Sequence, residues 1–172
     1  MLFVGVDPGK RGAMAAIEGD PSSPVYVERL PIPIIKGKKG HSRDEYDLAA
    51  IRDLLLRWGR SRGCFVTVEK SQPMPREKGG HLANFQAGVS RGWEWMLTAL
   101  YVPYQLVHPK TWQKVMHAGT PGEDTKQKSI MAAQRLFPHI ELRRTPRSKL
   151  LDDGIAEALL LAEYGRRTYG KA

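Results

Sequence analysis

Cysteine is nearly absent from this sequence: Cys64 stands alone among 172 residues. One thiol closes no internal disulfide, so a secreted disulfide scaffold is excluded and a reducing, cytoplasmic compartment is expected. Cys64 itself reads as a small buried hydrophobe. Long apolar runs are also missing, and nothing approaches the roughly 20 residues needed to cross a bilayer. No stretch has the basic amphipathic pattern of a membrane anchor, so no membrane partner is expected. The opening MLFVGVDPGK carries an acidic residue and a Pro-Gly turn within ten positions, which does not fit a secretory leader. Repeats and low-complexity tracts are lacking. The five His, at 41, 81, 108, 117 and 139, have no zinc-ligand spacing. Acidic residues are outnumbered: 18 Asp and Glu against 27 Lys and Arg leave a net charge of +9. A polyanion is therefore the first partner to consider, and nucleic acid is the commonest one.

What is present is ordinary globular material, with 41% hydrophobic and 26% charged residues. A chain of this length suits one domain over residues 1–172 and buries enough surface to fold without a staple. Apolar runs predict strands over Leu2–Val6, Ala13–Ile17 and Val25–Leu30, broken by turn formers. Pro31–Arg43 reads as an exposed basic loop. Leu48, Ile51, Leu55 and Trp58 recur at helical spacing within Asp47–Arg60. Cys64–Glu69 is a buried strand, and the Pro- and Gly-bearing Ser71–Leu82 a mobile loop. Then follow a helix over Ala83–Leu100, a strand over Gln105–Val107 and a helix over Pro109–His117 with Pro in its first turn. A helix capped by Asp124 or Thr125 runs to Phe137, and a basic loop over Arg143–Lys149 leads to a last helix over Leu151–Arg167. Hairpins followed by βα units predict an α/β fold, a mixed five-stranded sheet with helices on both faces.

Two of these strands end on a carboxylate, Asp7 and Glu69. A third acidic group, Asp152-Asp153-Gly154-Ile155-Ala156-Glu157, opens the last helix. Asp153 and Glu157 lie about 40° apart around a helix, whereas Asp152 and Glu157 lie about 140° apart. That geometry favours Asp153 over Asp152 as the partner of Glu157. Each carboxylate has an ordinary explanation: Asp before Pro-Gly starts turns, and acids in a first helical turn meet a favourable dipole. Together, at strand ends, they repel one another and call for a cation, and hard oxygen donors select Mg²⁺ or Mn²⁺.

Gly5-Val6-Asp7-Pro8-Gly9, Val68-Glu69-Lys70 and the run from Asp152 to Tyr164 resemble the RuvC-type Holliday junction resolvases, most of all the compact bacteriophage versions. Gly88–Gly92, His108–Gln113 and Lys126–Ser129 share the likeness, which spans nearly the whole chain. The resemblance implies a ribonuclease H-like fold, a homodimer, and Mg²⁺- or Mn²⁺-dependent paired nicking of four-way DNA junctions in a bacterial or phage-infected cell. It implies two ions per site, held by Asp7, Glu69, Asp153 and Glu157, with Asp152 the alternative to Asp153. The fourth ligand is often Asp in these proteins and is Glu157 here. Their loop after the second carboxylate tends to run Met-Pro-Gly-Gln-Gly, where this chain has Met74-Pro75-Arg76-Glu77-Lys78.

Basic residues suit the same reading. Lys110, Lys114, Lys126, Lys128, Arg76 and Lys78 are candidates to neutralise phosphates, as are Lys36, Lys38 and Lys39. Met74, His81 and Phe85 are candidate wedges at the branch point. Phe85, Val89, Trp93, Met96 and Leu97 form a stripe that serves either a dimer interface or the core. Rival readings are a related nuclease acting on other branched DNA or on RNA precursors, and a DNA-binding module without catalysis. A two-domain ATPase whose phosphate loop also begins Asp-x-Gly needs more residues than these, and no nucleotide cofactor is expected.

Overall fold

Alternation along β1 (Leu2–Val6) decides the architecture. All five of its residues are buried, so both faces of the strand are covered. Leu2, Val4 and Val6 join one apolar cluster and Phe3 the other, as a period of two requires. The same split runs through β2 (Ala13–Glu18) and β6 (Cys64–Glu69). The computed structural model describes residues 1–9, 11–19, 27–37, 45–70 and 80–169, with the backbone alone at 27, 61–62 and 80–87.

β3 (Val27–Pro31) and β7 (Tyr104–Val107) form the edges of a five-stranded sheet in the order β3-β2-β1-β6-β7. The β3-β2-β1 meander is antiparallel, while β1, β6 and β7 run parallel. Residues of α1 (Leu48–Arg62) and α2 (Gly80–Ala99) cover one face through Ile51, Leu54, Leu55, Trp58, Trp93 and Leu97. The other face is covered by α3 (Pro109–Met116), α4 (Thr125–Leu136) and α5 (Asp153–Tyr169). The expected mixed sheet with helices on both faces is present.

Close approach fixes α5 on the sheet. A Cβ at Gly5 would overlap the Ala158 carbonyl oxygen and the Ala162 amide, and one at Gly165 would strike the Thr67 hydroxyl. Glycine on the strand lets the β1 and α5 backbones touch, and glycine on the helix leaves room for the Thr67 side chain. Capping follows the sequence: Asp47 accepts from Ala50 N at 2.9 Å and Asp124 from Gln127 N at 2.8 Å. Each side chain takes up an otherwise unpaired amide of a first turn.

Element ends shift by a residue or two in places, and some details differ more from the sequence reading. The stretch read as a loop over Pro31–Arg43 contains a two-residue strand, β4 (Ile34–Ile35), which pairs with β5 (Glu45–Tyr46) just beyond it. Two-residue strands are too short to show a period; this one is tied down by Tyr46, whose hydroxyl donates to Pro8 O at 2.6 Å. β3 ends on Pro31, which an edge strand tolerates because it can spare one donor. α2 begins at Gly80, so residues 80–82 are helical, and the rest of the stretch expected to be mobile lies outside the described residues. α5 starts at Asp153 rather than Leu151 and continues to Tyr169. Cys64 is buried as expected. Among the described residues no helix is long and apolar enough to cross a membrane.

Candidate active site

Register brings the two strand-end carboxylates side by side. β1 and β6 pair in parallel from Leu2↔Cys64 to Val6↔Val68. One residue further, Asp7 and Glu69 continue that register on neighbouring strands, about 4.8 Å apart in a sheet. Alternation turns both toward the face carrying α5. There Gly154 sits against Asp7: a Cβ on Gly154 would lie 3.1 Å from Asp7 Oδ2 and 3.0 Å from Arg11 O. The first turn of α5 thus lies directly on the end of β1, and Asp153 and Glu157 are carried in with it.

Each carboxylate has a distinct partner. Asp7 accepts from Gly9 N at 3.2 Å. Glu69 accepts from the indole of the fully buried Trp112 at 2.7 Å. Glu157 accepts from the Ser129 hydroxyl at 3.2 Å, and that oxygen lies 3.1 Å from His117 Nε2. Asp153 forms an ion pair with Lys126 at 2.6 Å. Asp152 is occupied differently: one oxygen caps Ile155 N at 3.0 Å and both meet Arg144, which also donates to the carbonyls of Arg11 and Gly12. The charge of Asp153 acts on Glu157, and those of both Asp153 and Asp152 act on Asp7.

Burial and mutual repulsion set the charges. Burial, followed by the charges of Asp7, Glu69 and Asp153, pushes Glu157 up to about 8. Glu69 is raised to about 7, by burial first and then by Asp7, against the Trp112 hydrogen bond. Asp7 rises to about 6, again through burial, with Asp153 and Asp152 adding to it. Burial would raise Asp153 too, but the Lys126 ammonium overrides it and holds that carboxyl below its usual range. Tyr46 is pushed up to about 12 by burial and by the charge of Asp7, so it remains a hydrogen-bond donor beside the site.

No protein-family profile matches this sequence, and no curated protein matches it. Solved structures do. A Thermus thermophilus RuvC structure is similar over 97% of this chain and 96% of its own, at 21% identity and a TM-score of 0.55. T. thermophilus RuvC in complex with a Holliday junction substrate is similar over 98% and 96%, at 19% identity and a TM-score of 0.54. The fold is ribonuclease H-like. On this ribonuclease H-like sheet the four carboxylates lie where parallel strands end, the place at which open α/β sheets build their sites.

The donor set fits a hard divalent cation in its chemistry: it is oxygen only and half-buried, and burial raises the pKa of Asp7, Glu69 and Glu157. It is not a closed cage as it stands. Among the described residues no three His, Cys, Asp or Glu side chains are grouped to hold an ion. Trp112, Ser129 and Lys126 engage oxygens of Glu69, Glu157 and Asp153 respectively. Trp112, Ser129 and Arg144 are site residues that sequence reading did not single out, and Lys126, expected at a phosphate, is paired with Asp153 instead. Trp112 had a signal in the likeness of His108–Gln113, and Ser129 in that of Lys126–Ser129.

The basic candidates divide. Lys110 and Lys114 are exposed on α3 with no acidic partner among the described residues, Lys126 is engaged by Asp153, and Lys128 is half-buried on α4. Met74, Arg76, Lys78, Lys38 and Lys39 lie outside the described residues, and so do the side chains of His81 and Phe85.

A pH dependence follows for the metal-free protein. Asp7, Glu69 and Glu157 hold protons when folded at pH values where the unfolded chain, with ordinary carboxyls near 4, has released them. The unfolded state then binds fewer protons, so stability falls as pH rises from about 4 through 8. The melting midpoint is expected to be lower at pH 8 than at pH 5.5, with a smaller drop in Glu157→Gln. Equal drops in the two proteins would contradict the shift assigned to Glu157.

Proposed function

We propose that this chain is a divalent-metal-dependent endonuclease that resolves four-way DNA junctions by paired symmetric nicks. The observation that carries this reading is the group of half-buried, mutually repelling carboxylates Asp7, Glu69, Asp153 and Glu157 in a chain of net charge +9. Polyanion binding explains the excess of cations, and hydrolysis of the bound phosphodiester explains the acids. The near full-length likeness to RuvC, including a RuvC bound to a Holliday junction, supports the choice of substrate.

Asp7, Glu69, Asp153 and Glu157 would hold Mg²⁺ or Mn²⁺, two ions per site. Such ions, when bound, stabilise the charge that develops on the attacking and leaving oxygens of a displacement at phosphorus. The chain's own groups prepare for this. Trp112 orients Glu69, and Ser129, backed by His117, orients Glu157. Lys126 neutralises Asp153 in the metal-free protein and, once relieved of it, stands at the edge of the site as a phosphate ligand. Lys110 and Lys114 contribute sequence-independent phosphate contacts. Incubating a labelled four-way junction with Mg²⁺ or Mn²⁺ should give two opposed nicks. No cleavage of the junction in either metal would refute the reading, and equal cutting of flaps or of RNA would move it to the related nucleases.

Paired nicking calls for two sites related by a two-fold axis, hence a homodimer. Trp93 and Leu97 of the predicted stripe are buried in the core instead, and the Phe85 side chain lies outside the described residues. Val89 and Met96 are half-buried against the same core; with Tyr46, Leu48, Ile51 and Gly88 they line a cavity of about 340 Å³ between α1 and α2. Light scattering at micromolar concentration should give the mass of two chains. One chain's mass with paired cleavage retained would contradict the dimer.

A further inference from the structure

A basic turn leads into α5. Residues 141–149 hold four cations, Arg143, Arg144, Arg147 and Lys149, against one acid, Glu141. Arg144 is half-buried and pins the turn to the site through Asp152 and the carbonyls of Arg11 and Gly12. The others point outward. Arg147 and Lys149 are exposed and have no acidic partner among the described residues, and Arg143 has only an exposed pair with Glu141 at 3.5 Å. An exposed pair of that length contributes little.

The turn is built, not merely charged. Ser148 N donates to Thr145 O at 3.0 Å, and Thr145 N to the Ser148 hydroxyl at 3.2 Å. Arg143 N donates to the Glu141 carboxylate at 2.9 Å, and Asp152 N to the carbonyl of the buried Leu142 at 2.8 Å. Unsupported surface cations are usually just solvated, but these sit on a backbone already ordered, which lowers the cost of ordering on binding. Position matters as much. Lys149 is three peptide units from Asp152, so their Cα atoms are at most about 11 Å apart. A DNA strand advances about 3.4 Å along the duplex axis per phosphate, so the turn lies within a few nucleotides of the site.

We propose that this turn is a DNA-backbone grip: Arg143, Arg147 and Lys149 bind phosphates on the Asp7 side of the site, opposite the α4 side that carries Lys126 and Lys128. The proposal rests on the nucleic-acid reading above and extends it to a surface outside α3 and α4. Arg144 anchors the turn and is not itself a contact.

The test is the salt dependence of junction binding in EDTA, measured by anisotropy on the full chain, for the wild type and for the triple variant Arg143→Ala/Arg147→Ala/Lys149→Ala. Each lost phosphate contact removes about 0.9 from the slope of log K against log salt, so the slope should fall by about 2 to 3. The melting midpoint and its rise with Mg²⁺ should stay at wild-type values, which shows that the fold and the acidic site are intact. Leu150→Ser, which removes exposed apolar area beside the turn but no charge, should leave the slope unchanged. A wild type that cuts junctions while the triple variant keeps the full slope overturns the grip alone. A slope that depends on the turn in a protein that never cuts supports the grip and removes the nuclease reading. A wild type that binds no DNA overturns both.

Discussion

Asp153→Asn should abolish junction cleavage while leaving junction binding intact or tighter. The substitution keeps the shape of the side chain and removes one negative charge from the group containing Asp7 and Glu157. Groups that only orient a metal ligand cost about 10- to 100-fold when removed, and a carboxylate that holds the ion should cost more. DNA meets less negative charge in the variant, so affinity does not suffer. Asp152→Asn should behave differently. Asn caps a helix about as well as Asp, so the bond to Ile155 N survives; what is lost is the ion pair with Arg144. A lower melting temperature with cleavage retained is the expected result. The pair is read out by cleavage rates and by binding in EDTA. A dead Asp152→Asn beside an active Asp153→Asn would reverse the assignment, and two active variants would remove the acidic pair from the chemistry.

The second large effect is structural. Gly5→Ala places a methyl group where the Ala158 carbonyl oxygen and the Ala162 amide now lie. Both are backbone atoms, so no side-chain rotation makes room and α5 must lift from β1. Overpacking of this kind costs about 3 kcal/mol or more. At about 2–4 °C per kcal/mol for a chain of this size, thermal melting should fall by roughly 6–12 °C. Gly88→Ala is the control, since nothing lies within 4 Å of a Cβ there; inside a helix it should be neutral or stabilising by up to about 1 kcal/mol. Equal midpoints for the two variants would contradict the close contact.

Much of this site was legible because it obeys two periods. Asp7 and Glu69 end apolar strands, and a period of two sends both to one face once the strands pair in register. Asp153 and Glu157 share a helix face because four residues make about one turn. Trp112, Ser129 and Arg144 were less legible because their roles depend on where separate elements meet. The indole of Trp112 reaches Glu69 across 43 positions, and Arg144 reaches the Arg11 carbonyl across 133. Nothing local in Pro109–Met116 or in the basic turn announces such a partner. The β4–β5 ribbon escaped for the opposite reason: with two residues per strand it has too little pattern to read, and its anchor, Tyr46 on Pro8, is again a distant contact.

The seam between β1 and α5 also constrains the order of assembly. Gly5 touches Ala158, so the defining contact of the fold closes a loop of about 150 residues, and contacts that distant in sequence form late and slowly. On a ribosome the five strands can emerge well before α5, leaving Phe3, Ala15 and Phe65 uncovered on the face that α5 will occupy. Acids from the start and the far end of the chain therefore meet only when that last contact closes. An incompletely synthesised chain carries the cationic turn and half of the acids but not the assembled cluster, so the acidic group is completed only after the cationic turn is in place.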